Sequence, residues 1–342
     1  MPINQYVRKY VIMNLGGAIH LNKKFCLVIF IILVLYLYLS SFGSRDENDF
    51  TKQTQNKVNL KNLLHMAVIA AENGGNEVKN NINSNKIESK GKTKEGADDK
   101  VTTADYKSHC IMQGTIKKLY HDIKLISEEF KTNCEGIDLP SEFPSIPREI
   151  DALNDSWVKD SDITVWIDPL DATQEYTEKM YEFVTTMVCV AVNGKPVIGI
   201  VHKPFLKETY WGWVGTSKSP NLQVKERSDD ELIFIVSRSH TGKVKEMINT
   251  KLSEIKNKIV EAGGAGYKVL EVIKGNADVY FHTTAIKKWD ICAGNALLFS
   301  VGGNMTTLKD ELIDYGDTEN AVNTNGLVAT LKKYLNLKKL LI

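Results

Sequence analysis

The chain has 342 residues, 43% hydrophobic and 25% charged, and its 43 Lys+Arg against 42 Asp+Glu leave a formal net charge of +1. The length suits a membrane anchor plus one large domain or two lobes, and the balanced charge argues against nucleic-acid binding, which needs a basic stripe. Five cysteines without regular spacing argue against both a disulfide framework and a zinc site, so Cys189 and Cys292, set in apolar runs, are expected to be core residues.

Residues Phe25 to Leu39, FCLVIFIILVLYLYL, are apolar without a break. With Ser40, Ser41 and Phe42 the run approaches the ~20 residues of a spanning helix. Lys23 and Lys24 precede it, while Asp46, Glu47 and Asp49 follow. That asymmetry predicts a cytosolic 1–24, a transmembrane signal-anchor over 25–42, a luminal stem over 43–57 and a luminal bulk. A cleaved signal peptide is the competing reading.

From Leu60 to Glu72 the apolar spacing is helical, with Asn73-Gly74-Gly75 as the expected stop. Residues Asn76 to Lys100 read as a mobile loop. Val101-Thr102-Thr103-Ala104-Asp105 then opens a helix that runs to Tyr120, where Asp105 could simply cap. Ile123 to Ile126 is a short strand ending in Ser127-Glu128-Glu129. The proline-bearing stretch Asn133 to Asp162 reads as a surface excursion. It carries the sequon Asn154-Asp155-Ser156, a glycosylation candidate if the domain is luminal.

The apolar run Ile163 to Ile167 predicts a buried strand leading into Asp168-Pro169-Leu170-Asp171-Ala172-Thr173. Pro169 predicts a sharp turn. The turn could aim both carboxylates and the Leu170 carbonyl at one spot, a hard-oxygen set suited to Mg²⁺. Ala172-Thr173 reads as a helix start whose free N–H groups attract an anion. Such a combination suits metal-assisted phosphate hydrolysis; two aspartates capping a helix are the plainer alternative.

Beyond it, two β runs around Asn193-Gly194 form a hairpin, and Glu208 to Val214 adds a strand. Residues 58–226 thus read as an α+β lobe with the metal site. Residues 227–342 alternate strands and helices and read as an α/β lobe with substrate-binding loops. There Lys287-Lys288-Trp289-Asp290 precedes a helix. Ser237-Arg238-Ser239-His240 and Gly263-Gly264-Ala265-Gly266-Tyr267-Lys268 are strand-to-helix turns that could hold a second phosphate, or be ordinary turns.

Taken together, the D-P-L-D-A-T block, Trp289-Asp290-Ile291-Cys292-Ala293-Gly294, the Glu128-Glu129 pair and Thr102-Thr103-Ala104-Asp105 resemble the Mg²⁺-dependent, lithium-sensitive phosphatases of the inositol monophosphatase superfamily. The resemblance spans roughly residues 58 to 335. DATQEYTE, VSRSH, GGAGYKVL and IKKWDICAGNA are similar to its Golgi branch acting on adenosine 3′,5′-bisphosphate. It implies an αβαβα sandwich, a luminal catalytic domain, a homodimer and two or three Mg²⁺ ions. It also implies ligands Glu128, Asp168, the Leu170 carbonyl, Asp171 and Asp290, a proton-accepting pair Asp105–Thr173, and nucleotide contacts at Ser237, His240, Gly264 and Lys268. The implied activity removes the 3′-phosphate of adenosine 3′,5′-bisphosphate, a by-product of Golgi sulfotransferases. An inositol-phosphate phosphatase and a membrane-tethered, non-catalytic nucleotide-binding protein stay open as alternatives. The Asn-rich stretch between Ala71 and Lys100 departs from the family pattern.

Overall fold

The computed structural model describes residues 28–38, 57–83, 86–92, 98–130, 132–225, 231–238 and 244–331. The chain divides into two units, Met1–Gln55 and Asn56–Ile342. In the first, a helix (α1) covers residues 28–38, with every side chain exposed. Among the described residues no helix is long and apolar enough to cross a membrane; the rest of the expected anchor over 25–42 lies outside them.

The second unit opens with β1 (Lys57–Asn59), α2 (Leu60–Asn80), β2 (Ile87–Lys92), β3 (Asp98–Thr102), α3 (Thr103–Lys117) and β4 (Lys124–Ser127). Next come α4 (Arg148–Asp151), β5 (Trp157–Lys159), β6 (Ile163–Asp171), α5 (Thr173–Thr177), β7 (Thr185–Val192), β8 (Lys195–Lys203), β9 (Glu208–Trp213) and β10 (Ser217–Lys218). The remainder is β11 (Leu232–Ser237), α6 (Val244–Lys251), β12 (Asn257–Ala262), α7 (Ala265–Ile273), β13 (Val279–His282), β14 (Ile286–Lys287), α8 (Lys288–Ser300), β15 (Asn304–Thr306), β16 (Val322–Asn323) and β17 (Leu327–Thr330).

A six-stranded sheet has the order β10-β9-β8-β7-β6-β4 and a five-stranded one the order β12-β11-β13-β17-β15. The first is antiparallel except where β4 joins β6 in parallel; in the second, β11 runs parallel to both its neighbours. Strand β7 shows why the sheets are covered on both faces. Val188 and Val190 enter one core with Leu63, Leu64, Ala67 and Met112 of α2 and α3. Met187, Cys189 and Ala191 enter another with Val269 and Leu270 of α7 and Ile291 and Cys292 of α8. Period-two alternation with both sets apolar is the pattern of a strand buried on both faces. The second core continues to Tyr280 and Ala329 of the other sheet, whose far face, Phe234 and Phe281, packs on Val244 and Ile248 of α6. The layers are therefore α2/α3, sheet, α7/α8, sheet, α6, as the αβαβα expectation holds.

Four local expectations are corrected. Helix α2 does not stop at Asn73-Gly74-Gly75 but runs to Asn80. The glycines serve close packing instead: a Cβ on Gly74 would lie 2.5 Å from Met112 and 2.7 Å from Ser108 Oγ of α3. The expected mobile loop is, in its described part, the end of α2 and the antiparallel hairpin β2–β3. The chain does not turn sharply at Pro169: β6 continues to Asp171, with a bulge against β7 between Asp168 and Asp171. A residue without an N–H is tolerated where the ladder is already interrupted. Finally, four cysteines are paired, Cys110 with Cys134 and Cys189 with Cys292. Irregular spacing hid both bridges, because partners 24 and 103 residues apart meet only in the tertiary fold.

Candidate active site

Three carboxylates from three elements converge. Ligand oxygens of Glu128 (after β4), Asp168 (β6) and Asp290 (α8) all lie within 4.8 Å of one another. The parallel pairing of β4 with β6 places Ser127 beside Ile167, so the acids that follow emerge together at one edge. Asp168 is 2% exposed. Burial, then the charges of Glu128, Asp171 and Asp290, hold its pKa well above the usual carboxylate range. Burial raises Asp290 likewise, and pushes Glu128 up to about 7 against the pull of Lys90. Acids that raise one another's pKa are a hole for positive charge.

Asp171 sits differently. Its Oδ1 accepts from Ala265 N at 3.0 Å, and its Oδ2 from Gly266 N at 2.8 Å and Thr185 Oγ1 at 3.1 Å. It therefore docks the start of α7, a helix distant in the chain, not the local α5. The glycines opposite it follow from this: Gly264 has φ of +63°, and a Cβ there would meet Phe183 O at 2.7 Å and Asp171 Oδ2 at 3.0 Å. Helix α5 has only five residues, so the expected anion cradle at Ala172-Thr173 is small.

Thr173 Oγ1 stands 3.0 Å from Asp105 Oδ1 and 3.0 Å from the Leu170 carbonyl. The other oxygen of Asp105 accepts from Thr102 N at 2.8 Å and Thr102 Oγ1 at 2.6 Å. Burial pushes Asp105 up to about 6, against the pull of the Thr102 hydrogen bonds. A carboxyl titrating there is largely ionised at neutral pH yet basic enough to accept a proton. Helix α3 also braces both acid-bearing segments. Ser108 Oγ donates to Pro169 O at 2.7 Å, and His109 Nδ1 meets Ser127 Oγ at 2.7 Å.

A cavity of about 650 Å³ has walls that include Glu128, Asp168, Asp171, Thr173, Ser237, Gly264, Lys268 and Asp290. Lys268 is 3% exposed, and burial lowers its pKa to about 8 against the pull of Asp171, Glu175 and Asp290. His240 lies outside the described residues. Asn154 is exposed, between α4 and β5. Sequence reasoning missed Lys90, whose ammonium reaches Glu128 at 3.2 Å and also pairs with Glu129. It missed Ser108, Thr185, Tyr280 and His282 as well. Lys90 stands in a Lys-, Glu- and Gly-rich stretch that carried no periodic signal; Tyr280 and His282 alternate on β13, a signal that was present.

The acid set fits a hard divalent cation: oxygen donors only, converging, and mutually repelling. Such layers with such a site define a phosphatase of a known family. The chain belongs to the inositol monophosphatase family, whose model matches residues 59–340. It is a phosphoric monoester hydrolase of a family whose enzymes are generally Mg²⁺-dependent. It is 47% identical to inositol monophosphatase 3 of Xenopus tropicalis, over 85% of this chain and 83% of that one. To the Golgi-resident adenosine 3′,5′-bisphosphate 3′-phosphatase of Mus musculus it is 44% identical, over 80% of this chain and 79% of that one. The crystal structure of the extragenic suppressor protein suhB from Bartonella henselae shares the fold, with a TM-score of 0.62 at 18% identity over 82% of this chain and 98% of that one.

Proposed function

We propose that the protein removes the 3′-phosphate of adenosine 3′,5′-bisphosphate, giving AMP and phosphate, in the Golgi lumen. The observation that carries this reading is the meeting of Glu128, Asp168 and Asp290 with Thr173, itself hydrogen-bonded to Asp105, on one cavity that also presents Lys268 and Ser237. Glu128, Asp168, Asp290, Asp171 and the Leu170 carbonyl would hold two or three Mg²⁺ ions. Bound there, the ions supply positive charge for water activation and for the phosphoryl oxygens.

The chain's own residues do the rest. With its proton directed at Asp105, Thr173 Oγ1 offers a lone pair that orients the attacking water. Asp105 takes the proton that the water loses. Lys268 supplies an ammonium to an anionic part of the substrate away from the scissile bond, with Ser237, His240 and Gly264 completing that contact. Asp168 and Asp171 sit on a bulged, fully buried strand, so these groups are fixed before substrate arrives.

Supporting the luminal setting are the two disulfides, which persist in oxidising compartments, the exposed sequon residue Asn154, and the name of the mouse relative. In this reading residues 25–42 anchor the chain in the Golgi membrane, with 1–24 cytosolic, and the catalytic unit is a homodimer. Inositol phosphates are the second reading, favoured by the name of the Xenopus relative. Phosphate release from adenosine 3′,5′-bisphosphate, inositol 1-phosphate and inositol 1,4-bisphosphate, measured in parallel, decides between them. Faster turnover of the inositol phosphates overturns the nucleotide assignment.

A further inference from the structure

Strand β13 turns its side chains alternately to two sides. Val279 and Phe281 pack toward α6, while Tyr280 and His282 line the cavity. Tyr280 is 0% exposed, yet its hydroxyl has no hydrogen-bond partner. Ser237 lies close enough to favour the ionised phenol, and its hydroxyl meets His282 Nδ1 at 3.3 Å. Buried tyrosine hydroxyls normally find a partner, and an orphan in a native interior calls for an explanation. Here the explanation is at hand, because the ring belongs to the cavity wall. Lys268 Nζ stands 5.2 Å from the centroid of that ring, with one long hydrogen bond of its own, 3.4 Å to Ala262 O. Two donors on one patch of wall, a phenol and an ammonium, are thus left with capacity for a ligand. With an ordinary pKa of about 10 a phenol is protonated at neutral pH, and a protonated phenol is a donor.

We propose that Tyr280 is a substrate-binding and specificity-determining residue, its hydroxyl donating a hydrogen bond to an oxygen of the substrate's non-scissile phosphate, held against the Lys268 ammonium. The assignment rests on the proposed bisphosphate reading, and the oxygen is recognised jointly by charge from Lys268 and by direction from Tyr280. It predicts discrimination between bisphosphate and monophosphate substrates, since a site built around a hydrogen bond loses affinity when the bond is removed.

The test is Tyr280→Phe in the full chain. The substitution keeps the ring under Lys268 and removes one oxygen that has no protein partner. Thermal stability should be unchanged or raised, which separates this role from a structural one. With adenosine 3′,5′-bisphosphate the KM should rise about tenfold, the size of one lost hydrogen bond to a charged group, with kcat changed less than about threefold. AMP should weaken as an inhibitor by a similar factor. Adenosine 3′-monophosphate, with no second phosphate, should be turned over within about twofold of wild type. A double-mutant cycle with Lys268→Ala should be non-additive if both groups share one oxygen. An unchanged KM for the bisphosphate, the result expected if the hydroxyl merely holds a water, overturns the assignment; so does an equal loss on both substrates. If wild type releases no phosphate from adenosine 3′,5′-bisphosphate, the nucleotide reading fails by itself. Tyr280 is then judged on inositol 1,4-bisphosphate against inositol 1-phosphate: a KM rise confined to the bisphosphate supports it, and no rise overturns it.

Discussion

Thr173 Oγ1 lies 3.0 Å from Asp105 Oδ1, joining the first residue of α5 to the first turn of α3, 68 residues earlier. The contact orients one lone pair of the threonine toward the cavity and gives a proton somewhere to go. Thr173→Ala and Asp105→Asn should each lower kcat by about 10²–10⁴-fold, the usual worth of a positioned general base. Because the two act as one unit, the double variant should lose little more than either single one. Steady-state phosphate release checks this; additive losses contradict the pairing.

Ser108 holds the Pro169 carbonyl from inside α3, at 0% exposure and 2.7 Å. Ser108→Ala leaves that carbonyl without its partner and should destabilise the fold by about 1–3 kcal/mol. The carbonyl lies between Asp168 and Asp171, so the Mg²⁺ concentration for half-maximal activity should also rise several-fold. Denaturant unfolding and a Mg²⁺ titration are the two measurements. A stability loss with an unchanged Mg²⁺ response would confine Ser108 to packing.

The acid cluster makes the stabilisation by Mg²⁺ depend on pH. Glu128 at about 7 and Asp105 at about 6 stand above their ordinary values of 4.5 and 3.8, and Asp168, Asp171 and Asp290 are raised as well. Between about pH 4 and 7 the folded, metal-free protein therefore binds more protons than the unfolded chain, and these groups lower stability as pH rises. His109 and His202, held near 4 by burial, contribute the opposite slope with or without Mg²⁺. The clean quantity is the difference in Tm between Mg²⁺ and chelator. It should grow from pH 5 to pH 7, reaching the equivalent of about 2.7 kcal/mol at a hundredfold excess over Kd. A difference that shrinks over that range contradicts a carboxylate site.

The bridge Cys189–Cys292 ties β7 to α8, two residues from Asp290. Replacing both cysteines with alanine should cost about 2–5 kcal/mol of stability, because the bridge closes a loop of 103 residues. Thermal unfolding of wild type and variant checks the cost; a free Cys189 or Cys292 thiol in the denatured, unreduced wild type would show that the bridge is not formed.

What the sequence disclosed and what it withheld divide along the range of the interactions. Helix and strand positions were legible because apolar periodicity is local, as in β7 and α8. Glu128 and Asp168 stood out at the ends of short apolar runs, whereas Asp290, unremarkable as a lone helix cap, entered the set only through the family resemblance. Asp171 was legible as a carboxylate at the site but not as the dock for Ala265 and Gly266, which takes a tertiary contact. The Gly74-Gly75 pair reads as a stop until α3 is seen pressing on Gly74 and His202 on Gly75. Lys90 and the disulfides were invisible for the same reason: nothing near them in the chain announces the partner.

The central claim is that separated acids act together on a phosphorylated substrate. The most direct measurement is phosphate release from adenosine 3′,5′-bisphosphate by wild type and Asp168→Asn, with and without Mg²⁺. Release by wild type only with Mg²⁺, and none by a folded Asp168→Asn, is the predicted result. Near-normal release by Asp168→Asn, or by wild type in chelator, would contradict it.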